Sequence, residues 1–466
     1  MRKSKRTGIG VSRRHFSIGL SYASLGMAAQ TLLAEDRQDL SISNRLPGKA
    51  KSIIFLFMSG APSQVDTFDP KPMLNRLSGQ DVPQSIAAQV PRIKRAGLKN
   101  LMPSPWTFKK HGQSGLEISS LLPNLSQLAD DLCVIRSMSH RNPVHGPGEC
   151  VALTGNSTGD RPSVGAWSLY GLGKETDSLP SFITMNIHND GMQYPQPAGW
   201  GSGFLPSRYQ GTVMNPDLGI LNTSPPDSVT SQRRKQELDA IESMNQIFAS
   251  RMGISELEAR IQSYQTAFAM QTAGPELFSL QDEDEKTCEA YGLQDPNTAK
   301  VGKACLLSRR MVERGVPFIQ LRVGGWDAHS NLQANHQKLA QRTDQPIATL
   351  LKDLKARGLL DSTLVVWAGE FGRTPTMEGK SNGRDHSPAA YSIWMAGGGV
   401  KGGQVIGRTD EIGYTVVSNP VSPNDLHATM LCAIGLNAKQ LIYNHHGLRE
   451  TPFGVTDGRI VHEVFA

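Results

Sequence analysis

Short, almost uninterrupted apolar runs recur along this chain, and most of them stop at a glycine or an acidic residue. KSIIFLFM at 51–58 runs into Ser59-Gly60-Ala61-Pro62. SFITMNI at 181–187, VPFIQLRVGG at 316–325, TLVVWAGE at 363–370 and YSIWMAGG at 391–398 have the same build. Apolar runs of this length without polar alternation predict strands buried on both faces. Helical period appears between them. LEISSLLPNLSQLADDLCVIRSM predicts a helix followed by a strand around 132–137. Further helices are predicted at Lys300–Arg314, about 332–357 and 425–436. Buried strands alternating with amphipathic helices predict an α/β fold, with a mostly parallel central sheet and helices on both faces.

Three stretches interrupt this alternation. Residues 70–118 are rich in Pro, Lys and Gln and read as a surface excursion. Residues 189–232, rich in Gly, Pro, Asn and Ser, predict an irregular insertion of the kind that forms lids and binding loops. Residues 233–290 predict a helical insertion, with Gly253 as a break.

Charge changes the picture at the N-terminus. The formal charge of +6 comes from Arg2, Lys3, Lys5, Arg6, Arg13 and Arg14, and no acid precedes Glu35. Without those six residues the chain carries 42 basic and 42 acidic groups, which removes the electrostatic basis for nucleic-acid binding. SRRHF at 12–16 stands before SIGLSYASLGMAAQTLLA, the pattern of a twin-arginine signal peptide over residues 1–34. That apolar run is too short and too rich in Ser, Gly and Ala for a stable membrane span. Export to the periplasm or the extracellular space is expected. The five cysteines include no C-x-x-C pair, so neither a disulfide framework nor a thiolate zinc site is expected.

Candidate chemistry sits at the ends of the predicted strands, where open α/β sheets bind ligands. Asp66 and Asp69 follow the first; His140, His145 and Glu149 follow the second. Asp327, His329 and His336 follow VPFIQLRVGG, and Glu370, Arg373, Arg384, Asp385 and His386 follow TLVVWAG. A lone aspartate after a strand serves equally as a turn or cap residue. Together these oxygen and nitrogen donors suit zinc, manganese, magnesium, calcium or iron. Asp327, His329 and His386 are the expected core ligands, with Asp66, Glu370 and Asp385 as further ligands or their supports. Arg373 or Arg384 is the expected clamp for an anionic group. HRNPVHGPGECVALTG at 140–155 reads as a loop entering a helix, a natural place to hold an anion. GGGVKGG at 397–403 lacks the spacing of a phosphate-binding loop.

From about residue 50 onward the chain resembles a family of twin-arginine-exported bacterial proteins, domain of unknown function 1501. SGAPSQVDTFDPKP, HGPGECVALTG, GGWDAHSN, GEFGRTP, GRDH and SPNDLHATML carry the resemblance. That family in turn resembles the alkaline phosphatase and sulfatase superfamily. The resemblance implies a single α/β domain over 50–466, with a metal site at the carboxyl ends of the strands. HGPGECVALTG is similar to the sulfatase motif C/S-x-P-S-R-x-x-x-L-T-G, with His145 at the nucleophile position and Gly148 and Glu149 replacing Ser and Arg. TLVVWAGEFG is similar to a strand ending in D-H-G, with Glu370 at the Asp and Phe371 at the His. The implied activity is metal-dependent hydrolysis of phosphate or sulfate esters, on a small molecule or a polysaccharide. The implied cofactor is a divalent metal (zinc, manganese or calcium), and His145 is catalytic. The alternative is a non-catalytic extracytoplasmic protein that binds sulfated or phosphorylated polymers.

Overall fold

The computed structural model describes residues 46–90, 97–173, 179–188, 199–219 and 276–466, with scattered positions between 233 and 244. The expected signal peptide, and most of the helical insertion at 233–290, lie outside the described residues. Eight strands form the central sheet: β1 (Ser52–Met58), β2 (Cys133–Met138), β3 (Phe182–His188), β4 (Thr212–Met214), β5 (Phe318–Val323), β6 (Thr363–Ala368), β7 (Tyr391–Ala396) and β8 (Gln404–Ile406). Their order across the sheet is β8-β2-β7-β6-β1-β5-β3-β4. Every pairing is parallel except those of β7, which runs antiparallel to both β6 and β2.

The apolar runs form strands because each residue has a core to enter on its own face. Ile54, Leu56 and Met58 join one core with Leu306 and Leu307 of α3 (Ala299–Glu313) and Leu350 and Leu351 of α4 (Leu332–Ala356). Ile53, Phe55 and Phe57 join the other. There they meet Trp167 of α2 (Val164–Leu172) and Leu431 of α5 (Pro423–Ala433). A fully buried leucine or phenylalanine contributes about 1.5–3 kcal/mol of transfer free energy, so both faces must be covered.

The strand register sets the position of the site. Met58 of β1 pairs with Val323 of β5, and Phe57 with Ala368 of β6, so these strands end together and their loops start side by side. In β7, Tyr391 pairs with Met138 at the carboxyl end of β2. The residues before β7, including His386, therefore reach the same edge as the residues after the parallel strands. Apolar periodicity carries no strand direction, so this reversal is not legible in the sequence.

Two expectations are corrected. Residues 70–118 are not only surface: Phe108–His111 and Leu116–Ser119 form a hairpin, and Leu116 and Ile118 enter the first core. Leu74, Val82 and Leu101 build a small core of their own with Val65, Ile412 and Tyr414. The helix expected within 116–131 is instead that second hairpin strand followed by a short 3-10 segment, Leu125–Asp131. Pro123 between them bars a continuous helix.

Candidate metal centre at the carboxyl edge of the sheet

Two glycines let the strand-end loops meet. Gly60 has φ +105°, and a Cβ there would lie 2.5 Å from the Asp327 amide nitrogen, so the loops after β1 and β5 touch only because this residue is glycine. Helix α1 (His145–Thr154) starts after the β2 loop. A Cβ on its Gly148 would lie 2.9 Å from the Phe371 ring. The close approach seats that ring against two imidazoles, with centroids 5.0 Å from His145 and 4.8 Å from His386.

Three imidazoles then converge in the same way. Each uses Nδ1 to hold an acceptor and turns Nε2 inward. His145 Nδ1 donates to Glu370 Oε1 at 2.6 Å, His386 Nδ1 donates to the Pro143 carbonyl at 2.6 Å, and His329 Nδ1 donates to Glu378. The three Nε2 atoms face one oxygen, Asp327 Oδ1, at 3.3 Å from His145, 3.1 Å from His329 and 3.6 Å from His386. Ligand atoms of His145, Asp327, His329 and His386 lie within 4.8 Å of one another. Asp327 and His329 are each about one-third exposed, at 33% and 32%, so the cluster opens to solvent on one side.

The electrostatics favour a positive charge here. Burial works to raise the Asp327 pKa, but the facing imidazoles of His145, His329 and His386, with the Arg373 charge, hold the carboxyl well below its ordinary range. Burial works against a charged His145, yet Asp327 and Glu370 push its pKa up to about 9. Asp327 and Glu378 likewise raise His329, whereas burial lowers His386. Glu370 Oε1 also accepts the Gly60 N–H at 2.9 Å, and its Oε2 is buried without a hydrogen-bond partner. The donor set suits a cation. Imidazole nitrogen and carboxylate oxygen are zinc and manganese ligands, and each imidazole already has the outer partner that fixes its tautomer.

Not every sequence candidate joins this cluster. Asp66 and Arg384 are both fully buried and paired with each other, Arg384 Nε donating to Asp66 Oδ2 at 2.8 Å. Burial alone would raise the Asp66 pKa, but the Arg384 guanidinium keeps it lowered. Arg384 also donates to the carbonyls of Thr374 and Met102, and Arg373 to those of Ala61 and Arg384, so neither guanidinium is placed as an open anion clamp. Asp385 lies at the fringe, 3.9 Å from His329 Nδ1, and accepts the His386 N–H at 2.8 Å. Asp69 accepts from Thr409 and pairs with Lys71 at 3.0 Å, away from the cluster.

His140 and His336 serve structure. His140 Nε2 donates to the Glu370 carbonyl at 2.6 Å, which pins the backbone of the residue orienting His145. His336 Nε2 accepts the Ser63 N–H at 3.1 Å. Burial lowers the pKa of His140 to about 4, of His336 to about 3 and of His427, on α5, to about 4. Below about pH 6.5 the unfolded chain protonates these groups and the native protein does not. Stability is therefore lost as pH falls from about 6.5 toward 4, by up to roughly 3 kcal/mol per group. Thermal melting from pH 7 to 4 is expected to show a shallower fall for His427→Gln than for the wild type. Parallel curves would contradict a neutral buried His427.

Sequence reasoning missed three supports. Glu378 lies in the loop TPTMEGKSNGRD, whose composition gives no signal, and the Pro143 acceptor is a backbone carbonyl. Arg322 was legible, because a charge inside an apolar strand needs a partner. Its Nη2 bonds both Glu149 oxygens at 2.7 and 2.8 Å, and Ser59 donates to the same carboxylate at 2.5 Å. This buried ion pair clamps α1, with His145 at its start, to the end of the sheet.

Solved structures similar to this chain include Ps i-CgsB, at 11% identity over 84% of this chain and 73% of that one, TM-score 0.37. PsFucS1 sulfatase from Pseudoalteromonas sp. matches at 13% identity over 95% and 79%, TM-score 0.37. A protein in the alkaline phosphatase superfamily from Vibrio parahaemolyticus matches at 10% identity over 85% and 70%, TM-score 0.33. No curated protein matches the chain. The family model that does match, described as protein of unknown function (DUF1501), spans residues 50–465, and the chain belongs to that family.

Proposed function

We propose that this protein is an exported, metal-dependent hydrolase of phosphate or sulfate esters. Its single catalytic domain follows the signal peptide of residues 1–34, and its substrate is a small-molecule or polysaccharide ester. One observation carries the reading: three imidazoles with Nδ1 tied to acceptors turn Nε2 toward the same Asp327 oxygen. His145, His329, His386 and Asp327 would hold the ion. Zinc or manganese fits this nitrogen-rich set, whereas calcium takes six to eight oxygens, so calcium drops out of the expected metals. The bound dication would supply Lewis-acid polarisation of an ester oxygen.

The protein's own groups do the rest. Glu370, Glu378 and the Pro143 carbonyl fix which nitrogen of each imidazole faces inward. His145 is thereby presented as a ligand oriented by Glu370. Phe371 walls off His145 and His386 from bulk water. The open side at Asp327 and His329 admits the ester.

The test is the metal content of the purified mature protein by elemental mass spectrometry, followed by hydrolysis of p-nitrophenyl phosphate, its diester and p-nitrophenyl sulfate. About one equivalent of zinc or manganese is expected. Activity on at least one ester should disappear on chelation and return when the metal is restored. A folded protein that takes up neither metal, or a loaded one inert toward all three esters, would overturn the reading.

A further inference from the structure

We infer that Arg373 is a positioning residue that acts on the metal through Asp327, not an anion clamp; the inference rests on the metal-binding reading above. Its side chain is fully buried. Nε donates to the Ala61 carbonyl at 3.0 Å, Nη1 to the Arg384 carbonyl at 3.1 Å, and Nη2 to the Gly60 carbonyl and to Asp327 Oδ1, the latter at 2.6 Å. A guanidinium has five N–H donors in a rigid planar fork. Here the fork ties together three connections at one edge of the sheet, and it pins the two ends of the one it belongs to, between β6 and β7, to each other. Gly60 and Ala61 follow β1, Asp327 follows β5, Arg373 itself follows β6, and Arg384 precedes β7. Those four strands are neighbours, in the order β7-β6-β1-β5.

The oxygen that Arg373 holds is the one the three imidazoles face. The guanidinium that holds it is fully buried, whereas His329, which faces the same oxygen, is partly open to solvent. Two consequences follow. The oxygen is fixed in place before any ion arrives, so its ordering is not a cost of binding. The carboxylate charge is also balanced by the guanidinium, which leaves a bound dication with more of its polarising charge. Lysine offers the charge without the fork and cannot bridge the same partners.

The experiment is a double-mutant cycle on zinc affinity, read by competition with a chromophoric chelator, on the full-length folded protein. The forms compared are wild type, Arg373→Lys, Asp327→Asn and the double variant, each checked by circular dichroism and thermal melting. Arg373→Lys is expected to weaken zinc about 10–100-fold, the usual range for a partner behind a ligand. In the Asp327→Asn background the same change should cost little more, because its effect passes through that carboxylate. The KM for an ester at saturating zinc should stay near the wild-type value. Arg373→Gln, which keeps a planar donor, is read in the same way should Arg373→Lys not fold. Full multiplication of the two losses would show a merely structural arginine. A raised KM with unchanged zinc affinity would restore the anion clamp. Both outcomes overturn the inference and leave the metal reading standing. A wild type that binds no zinc or manganese overturns both.

Discussion

Asp66→Ala is expected to lower the unfolding free energy by about 3–5 kcal/mol, the cost of leaving one charge of a buried ion pair without its partner. The pair is buried on both sides, and Arg384 donates to both Asp66 oxygens, at 2.8 and 3.3 Å. Ser63 donates a further bond to the carboxylate at 2.5 Å. Removing Asp66 strands a guanidinium among the carbonyls of Thr374, Met102 and Pro103, which cannot balance its charge. Replacing both partners together, as Asp66→Leu with Arg384→Met, is expected to cost less than Asp66→Ala alone, because no charge is then left buried. Denaturant unfolding measures both. Metal per folded molecule should be the same in Asp66→Ala as in wild type. An Asp66→Ala protein of normal stability that has lost its metal would return Asp66 to the ligand set.

Asp66 also shows where the sequence stops being informative. The apolar runs of β1, β5 and β6 locate strands because burial on both faces leaves no other composition possible. The chemistry at their ends is legible because acids and imidazoles there have no place in an apolar core. What cannot be read is which acid meets which base. Asp66 and Arg384 are 318 positions apart, and the short helix Gln64–Thr67 carries the carboxylate to its partner. The reversal of β7 is hidden for a related reason. Its apolar pattern is the same in either direction, yet only the antiparallel course delivers His386 to the cluster. Asp327, His329 and His386 were legible as candidate ligands because they closely flank strands at that edge. Glu378 was not, because its partner is fixed by the path of a surface loop.

His145→Ala is expected to abolish both metal retention and turnover, with zinc affinity falling by more than the 10–100-fold typical of an outer partner. Glu370→Gln should fall within that range, since it keeps a hydrogen-bond acceptor for Nδ1 but removes the charge. The two variants separate the roles left open for His145. A nucleophile is dispensable for holding the ion, so a nucleophilic His145 predicts an alanine variant that is fully loaded and inert. A ligand predicts metal loss in proportion to turnover loss, with activity partly restored by excess zinc. The geometry favours the second outcome. Nδ1 is held by Glu370, and Nε2 is aimed at Asp327 Oδ1 beside the Nε2 atoms of two other imidazoles, with His329 and His386 only 2.9 Å apart. Three inward nitrogens around one oxygen are what a coordination pocket requires, and a nucleophile needs no such company. Metal analysis of His145→Ala and Glu370→Gln beside wild type, with turnover measured on the same samples, decides between them.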